Sequence, residues 1–263
     1  MQNMALEIRK TIIEMAHRSN GPHVGSALSC ADIMATLYFG VLDIKSPDCE
    51  ERDRFILSKA HSAMALYSTL FHKGWLDEKT LMSYYQNGGS LPAHTDRFTI
   101  KGVEISAGSL GHGLPIGLGM AHALKLDGKK QKVYVLMGDG ETQEGSVWEA
   151  AMLAPTLKLS NLTVLIDYNN LQGYGRAREL VSFEPLADKW RAFGWSAFEL
   201  DGHNPEAIKS ACLAKCETPK VIICKTTKGK GVSFMEDELK WHYFLVTKEH
   251  KENALKELTR GVE

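Results

Sequence analysis

The sequence predicts an α/β fold, doubly wound, with a mostly parallel sheet and helices on both faces. Three observations carry that prediction. Five short runs, FILS (55–58), VYVLM (133–137), LTVLID (162–167), SAFEL (196–200) and KVIICKT (220–226), are rich in strand-forming residues and largely unbroken in apolar character. Strands covered on both faces have that character. Segments of helical periodicity alternate with these runs, as they do in a parallel sheet built from strand–helix–strand units. Two of the runs end in knots of Gly, Asp, Asn and Glu, GDGE (138–141) and YNNL (168–171).

Taken in order, helical spacing of apolar residues covers 3–18, 31–42 (ADIMATLYFGVL) and 61–74 (HSAMALYSTLFHKG). It returns at 112–127, 145–158 and 205–216, and in the charged tail 247–258. The segment DGHN (201–204) reads as a strand-to-helix turn. There is no internal repeat, low-complexity tract or linker composition, so residues 1–263 are expected to form one domain.

Bulk properties exclude several function classes. Thirty-one Lys and Arg balance thirty-two Asp and Glu for a formal charge of -1, so no general attraction to nucleic acid or membrane follows. No apolar run approaches the ~18 residues of a membrane-spanning helix. The N-terminal segment is amphipathic and lacks a signal-peptide core, which predicts a cytoplasmic protein. The five cysteines form no Cys-x-x-Cys pair. Cys212 and Cys216 share a helical face and could hold a metal, although a buried helix face is the simpler reading. The basic run KTTKGKG (225–231) lacks interleaved aromatics and reads as a solvated loop near the entrance of the site.

The two knots are where chemistry is expected. In an open parallel sheet, ligands bind beyond the carboxyl ends of the strands. VYVLM delivers Asp139 to that edge, and Gly138 and Gly140 remove side chains where the backbone turns tightly and approaches a ligand. The next helix begins near Gly145, and its N-terminal amides favour an anion. LTVLID brings Asn169 and the carbonyl of Leu171 to the same edge. One carboxylate, one amide oxygen and one carbonyl form a hard, all-oxygen half-shell suited to Mg²⁺ or Ca²⁺, with positions left for phosphate oxygens. Two ordinary turns would use the same residue types, but two such turns after two strands favour a metal–diphosphate site. The glycines of AGSLGHG (107–113) do not fit a dinucleotide fingerprint, because three residues separate Gly113 from Gly117 and no strand leads in.

GDG followed about thirty residues later by NN resembles the diphosphate-binding motif of thiamine-diphosphate enzymes. SNGPHVGSALSCADIMATLYF (19–39), RFILSKAHSAMALYSTL (54–70), ISAGSLGHGLPIGLGMA (105–121) and KTTKGKGVSFMEDELKWH (225–242) narrow the resemblance to the transketolases, over nearly the whole chain. The resemblance implies thiamine diphosphate held through Mg²⁺, with Ca²⁺ or Mn²⁺ as substitutes, and Asp139, Asn169 and Leu171 as metal ligands. It places His23, His61 and His94 as catalytic residues lining the substrate channel. His61 and His242 would contact the cofactor phosphates, and Gly108, Ser109 and Leu110 the aminopyrimidine. Gly138, Gly140 and Glu144 also fall in the cofactor-binding set, and Glu144 and Glu149 match a carboxylate network between two cofactor-binding domains. Acidic residues beside a helix N-terminus have a plain electrostatic rationale as well. His112 stands where many relatives carry Gln. His17, His72, His122, His203 and His250 read as surface or turn residues.

A complete transketolase is more than twice this length and carries a second, pyrimidine-binding domain. The resemblance therefore implies the N-terminal subunit of a split transketolase, with a C-terminal partner subunit on a separate chain in an α2β2 heterotetramer. The expected reaction moves a two-carbon ketol unit from a ketose phosphate to an aldose. An unusual sugar, such as a branched pentulose phosphate or a sulfosugar, is an alternative; so is a 2-oxoacid dehydrogenase or synthase of the same cofactor class, or a non-catalytic cofactor-binding protein. Tyr243-Phe244-Leu245 departs from the family pattern, in which Gly and a proline-containing loop follow Trp-His.

Overall fold

The computed structural model describes residues 1–260, so the last three positions of the expected 1–263 domain lie outside the described residues. Helix α1 (Gln2–Ser19) buries Ile8, Ile12 and Met15 along one stripe and ends at Asn20 in the left-handed conformation. Short helices α2 (Val24–Ser29) and α3 (Ala31–Thr36) follow, and α3 widens into a single π turn, Leu37–Val41. Strand β1 (Arg54–Leu57) leads to α4 (Ala63–His72), α5 (Glu78–Leu81) and α6 (Gly113–Leu126). Then come β2 (Val133–Gly138), α7 (Gly145–Thr156), β3 (Leu162–Tyr168), α8 (Ala177–Leu180) and α9 (Leu186–Ala192). The chain continues through β4 (Ser196–Asp201), α10 (Pro205–Leu213) and β5 (Lys220–Lys225) to α11 (Lys248–Arg260).

All five strands are parallel, in the order β1-β2-β3-β5-β4. Alternation along each strand divides the core in two. Phe55, Leu57, Tyr134, Leu136, Leu165 and Ile222 point into a cluster with α1, α3, α4 and α10. Ile56, Val133, Val135, Val164, Ile166 and Val221 point the other way, onto α6, α7 and α9. Side chains of the three inner strands, β2, β3 and β5, are therefore packed on both faces, which is why their runs read as unbroken, whereas the edge strand β4 is only half-buried. β4 runs to the far edge and β5 returns beside β3, so the carboxyl ends of β1, β2, β3 and β5 open on one side.

Every predicted strand is present within a residue or two of its expected limits. The main difference among the helices is at 31–42, where α3 stops at Thr36 and a π turn completes the span. α10 ends at Leu213, so Cys216 falls beyond it, whereas Cys212 is buried. No cluster of three His, Cys, Asp or Glu side chains with metal-binding spacing occurs among the described residues. The DGHN turn is as expected: Asn204 accepts hydrogen bonds from Glu206 N and Ala207 N, both 3.1 Å, and Pro205 opens α10. No helix among the described residues is long and apolar enough to cross a membrane.

Gly117 lets α6 approach β2, since a Cβ there would lie 2.6 Å from Val135 Cγ2, whereas nothing lies within 4 Å of one on Gly119. Gly117→Ala should therefore destabilise the chain by ~1–3 kcal/mol through overpacking. Gly119→Ala on the same helix should stabilise it by ~0.5–1 kcal/mol through helix propensity. Urea midpoints of the two variants check both signs.

Candidate active site

The carboxyl ends of the strands border a cleft of about 400 Å³. The metal set expected from the sequence meets there: Asp139, Asn169 and Leu171 are all buried and all line it. Asp139 is fixed by amides from both knots, with Oδ1 accepting from Gly140 N at 2.7 Å and Oδ2 from Asn170 N at 2.5 Å. Asn169 Oδ1 accepts from Leu171 N at 3.0 Å. Asn170 adopts φ 58, a left-handed conformation that asparagine tolerates, and so turns the chain after β3.

The charges around this set have a clear order. Burial, followed by the neighbouring Asp167 carboxylate, pushes Asp139 up to about 6. The donor set therefore fits a cation: a divalent ion would relieve the carboxylate that burial disfavours, and its ligands would be the hard oxygens already turned to the cleft. Asp167 is different. Although burial opposes its charge, the Lys59 ammonium holds it below the usual carboxylate range, with Ser29 and Thr226 donating to it.

Four histidines line the same cleft. The ring of His23 lies 5.4 Å from that of His61, 6.3 Å from His94 and 5.1 Å from His242. His61 and His242 stack at 6.0 Å. His23 sits in a left-handed backbone conformation, φ 72, held by its amide's 2.8 Å bond to His242 O. A histidine in this region is strained, and strain of this kind gathers at functional sites. Burial, then the positive neighbours, lowers His23 to about 4 and His242 to about 3. Burial likewise lowers His61 and His94. All four rings are neutral at pH 7, so each offers one donor and one acceptor.

Lys228 corrects the expectation of a solvated basic loop. It is wholly buried, and its Nζ donates to Leu171 O at 3.0 Å and to His242 Nδ1 at 2.8 Å. Burial, then the Lys59 charge, lowers it to about 8, which leaves it mostly an ammonium at pH 7. An ammonium has no acceptor, so His242 Nδ1 accepts and Nε2 carries the ring proton. Leu171 O retains a second lone pair. Glycines at 229 and 231, with φ 78 and 95, fold the loop inward, a signal that was legible as KGKG but read as exposure.

Other expected residues are distributed unevenly. Gly108, Leu110, Gly138, Gly140 and Glu144 line the cleft. Ser109 is exposed outside the lining, and His112 is exposed at the start of α6. Glu144 and Glu149 are exposed at the start of α7. Glu141, not singled out in the sequence, is buried and accepts from Gly111 N at 2.9 Å, Gly138 N at 3.1 Å and the Ser58 hydroxyl. It thereby ties the glycine-rich loop to the GDG turn. The amide nitrogens of Gln143 and Gln172 have no protein partner, and both residues line the cleft. Tyr243 stands over the mouth, 4.5 Å from the His242 ring, and Gly173 makes room for it: a Cβ there would come within 2.5 Å of the phenol oxygen. His203, expected to be an ordinary turn residue, instead bonds Asp32 and Thr227.

A cleft at the strand ends, lined by acid, amide and carbonyl oxygens beside neutral imidazoles, is where a parallel α/β sheet receives a ligand. The chain belongs to the transketolase family: the model of its thiamine diphosphate binding domain matches residues 1–257. It is 40% identical over 260 residues to an apulose-4-phosphate transketolase subunit from Phocaeicola vulgatus, covering 97% of this chain and 92% of that protein. It is 39% identical to the 6-deoxy-6-sulfo-D-fructose transketolase subunit SqwG of a Clostridium species, covering 99% of this chain and 96% of that one. A transketolase structure from Campylobacter jejuni superposes with a TM-score of 0.91 at 31% identity, but there this chain spans 42% of the length.

The histidine environment sets a pH dependence. From its usual 6.5, His23 falls to about 4 in the folded chain, so between those values the unfolded state binds more protons. Stability should therefore fall on acidification through that window. Asp139, shifted upward, contributes the opposite slope, so the informative comparison is between variants. Thermal midpoints from pH 7 to 4.5 should fall less steeply in His23→Asn than in the unmodified chain.

Proposed function

We propose that this chain, one domain over residues 1–263, is the cofactor-diphosphate subunit of a two-chain transketolase. The observation that carries the reading is the convergence of Asp139, Asn169 and Leu171 O on the cleft walled by His23, His61, His94 and His242. Asp139, Asn169 and Leu171 O would hold Mg²⁺, with Ca²⁺ or Mn²⁺ as substitutes, and the ion would offset the charge of the cofactor diphosphate. His61 and His242 add ring N–H donors to that diphosphate. Gly138, Gly140 and Glu144 shape its pocket, and the main chain of Gly108 to Leu110 meets the aminopyrimidine. Thiamine diphosphate, when bound, would supply the nucleophilic carbon that the ketol transfer needs.

The chain's own residues bind and orient. His23, His61 and His94 are neutral, so they can accept a proton from one sugar hydroxyl and return it to another. Lys228 fixes the ring orientation of His242. The reaction is transfer of a two-carbon ketol unit from a ketose to an aldose. The relatives named above are designated for a phosphorylated and a sulfonated sugar, and a terminal anion is the chemistry those sugars share. Lys59, the cation among the described residues that line the cleft, is already paired with Asp167, and Lys228 is taken up by Leu171 O and His242, so a companion chain supplies the charge that meets that anion. The companion carries the pyrimidine domain and packs near Glu144 and Glu149, two copies of each chain forming an α2β2 assembly in the cytoplasm.

Co-expression with the companion, followed by calorimetry and a ketose-to-aldose transfer assay, tests this reading. The assembled pair should bind thiamine diphosphate only with a divalent cation present, and a chelator should abolish both binding and turnover. In Asp139→Asn metal-dependent binding of the cofactor should be lost, because the carboxylate that would hold the cation is gone. His94→Ala should lower kcat by ~10²-fold or more with cofactor affinity changed less than about threefold. Transfer by this chain without a companion, or metal-dependent cofactor binding by Asp139→Asn, would overturn the assignment.

A further inference from the structure

Asp32 lies outside the cleft, on α3, and is buried with Arg9 of α1. Arg9 holds it through two contacts, Nη2 to Oδ2 at 2.5 Å and Nη1 to Oδ1 at 3.3 Å. His203, in the turn after β4, adds Nδ1 to Oδ2 at 2.8 Å. Both partners of Asp32 then reach the same loop. His203 Nε2 accepts from Thr227 N at 2.9 Å, and Arg9 Nε donates to Lys230 O at 3.0 Å. The loop is thus clamped on either side of Lys228.

The hydrogen-bond directions are fixed. The Thr227 amide can only donate, so Nε2 must be the acceptor and Nδ1 must carry the hydrogen given to Asp32. Asp32 in turn selects the ring tautomer that can receive the amide. Removing the histidine leaves an amide without its partner, and the loop loses its hold one residue before Lys228.

We infer that Asp32, acting through His203 and Arg9, positions Lys228 against Leu171 O and His242 and so sets cofactor affinity from outside the cleft. The inference rests on the functional reading above. His203 and Asp32 are positioning residues; neither touches cofactor or substrate.

The test is a double-mutant cycle on the assembled two-chain enzyme, with thiamine diphosphate and Mg²⁺ as the probe. His203→Ala should weaken cofactor binding by about tenfold, the loss expected for one buried hydrogen bond. Lys228→Met should weaken it by about tenfold or more. Adding His203→Ala to Lys228→Met should cost less than about twofold more, because the route already ends at the missing lysine. Hydrogen exchange at the Thr227 amide should quicken in His203→Ala and stay slow in Lys228→Met. Should His203→Ala fail to assemble, His203→Gln enters the same cycle, with the same non-additivity expected. Losses that multiply in the double variant, or unchanged affinity in His203→Ala, would overturn the inference while leaving the cofactor site standing. An unmodified pair that binds no cofactor would remove the functional reading and this inference with it.

Discussion

The ion pair between Lys59 and Asp167 stands at the point where the rest of the site is joined. Lys59 follows β1, Asp167 lies near the end of β3, and both are wholly buried. A buried pair of this kind is a weak source of stability, because desolvation offsets most of the Coulombic gain. Its role here is one of order. Asp167 also takes hydrogen bonds from Ser29 on α2 and Thr226 after β5, so four separate segments are referenced to one carboxylate. The pair leaves Asp139 without an ion pair of its own among the described residues, and burial still holds its carboxyl up, the condition that a bound cation would relieve.

A second layer of buried charge lies behind the first. Lys228 draws the Leu171 carbonyl and the His242 ring together, while Asp32 and Arg9 sit one loop further back. The site is thus lined by neutral imidazoles and backed by two buried ion pairs, Lys59–Asp167 and Arg9–Asp32, and by the Lys228 ammonium between them. Burial keeps the rings uncharged, and the lysines behind them reinforce that state. Positive charge stays near enough to orient acceptors without protonating the groups that must exchange protons at neutral pH.

The sheet was legible in the sequence because its inner strands, covered on both faces, carry unbroken apolar runs, with the edge run SAFEL the weakest of the five. The knots were legible because the metal half-shell comes from two segments, each adjoining a strand end. Helices α2, α5, α8 and α9 were not read, since four to seven residues hold too few turns to show a period. Lys59 and Lys228 were missed for a different reason. A lysine in sequence is expected to face water, and only the fold shows that Asp167 and Leu171 O await their ammonium groups. His203 was missed likewise, because both of its partners are distant along the chain. Glu141 was hidden among acids that a helix start already explains.

The contact between Tyr243 and Gly173 couples two stretches of chain that are far apart in sequence at the rim of the cleft. A Cβ at 173 would lie 2.5 Å from the phenol oxygen, so a larger residue there obliges the half-exposed Tyr243 ring to swing aside, whereas replacing the tyrosine asks nothing of Gly173. The dependence therefore runs one way: the bare backbone at 173 is a condition for the phenol's position beside His242, and the phenol is no condition for the glycine.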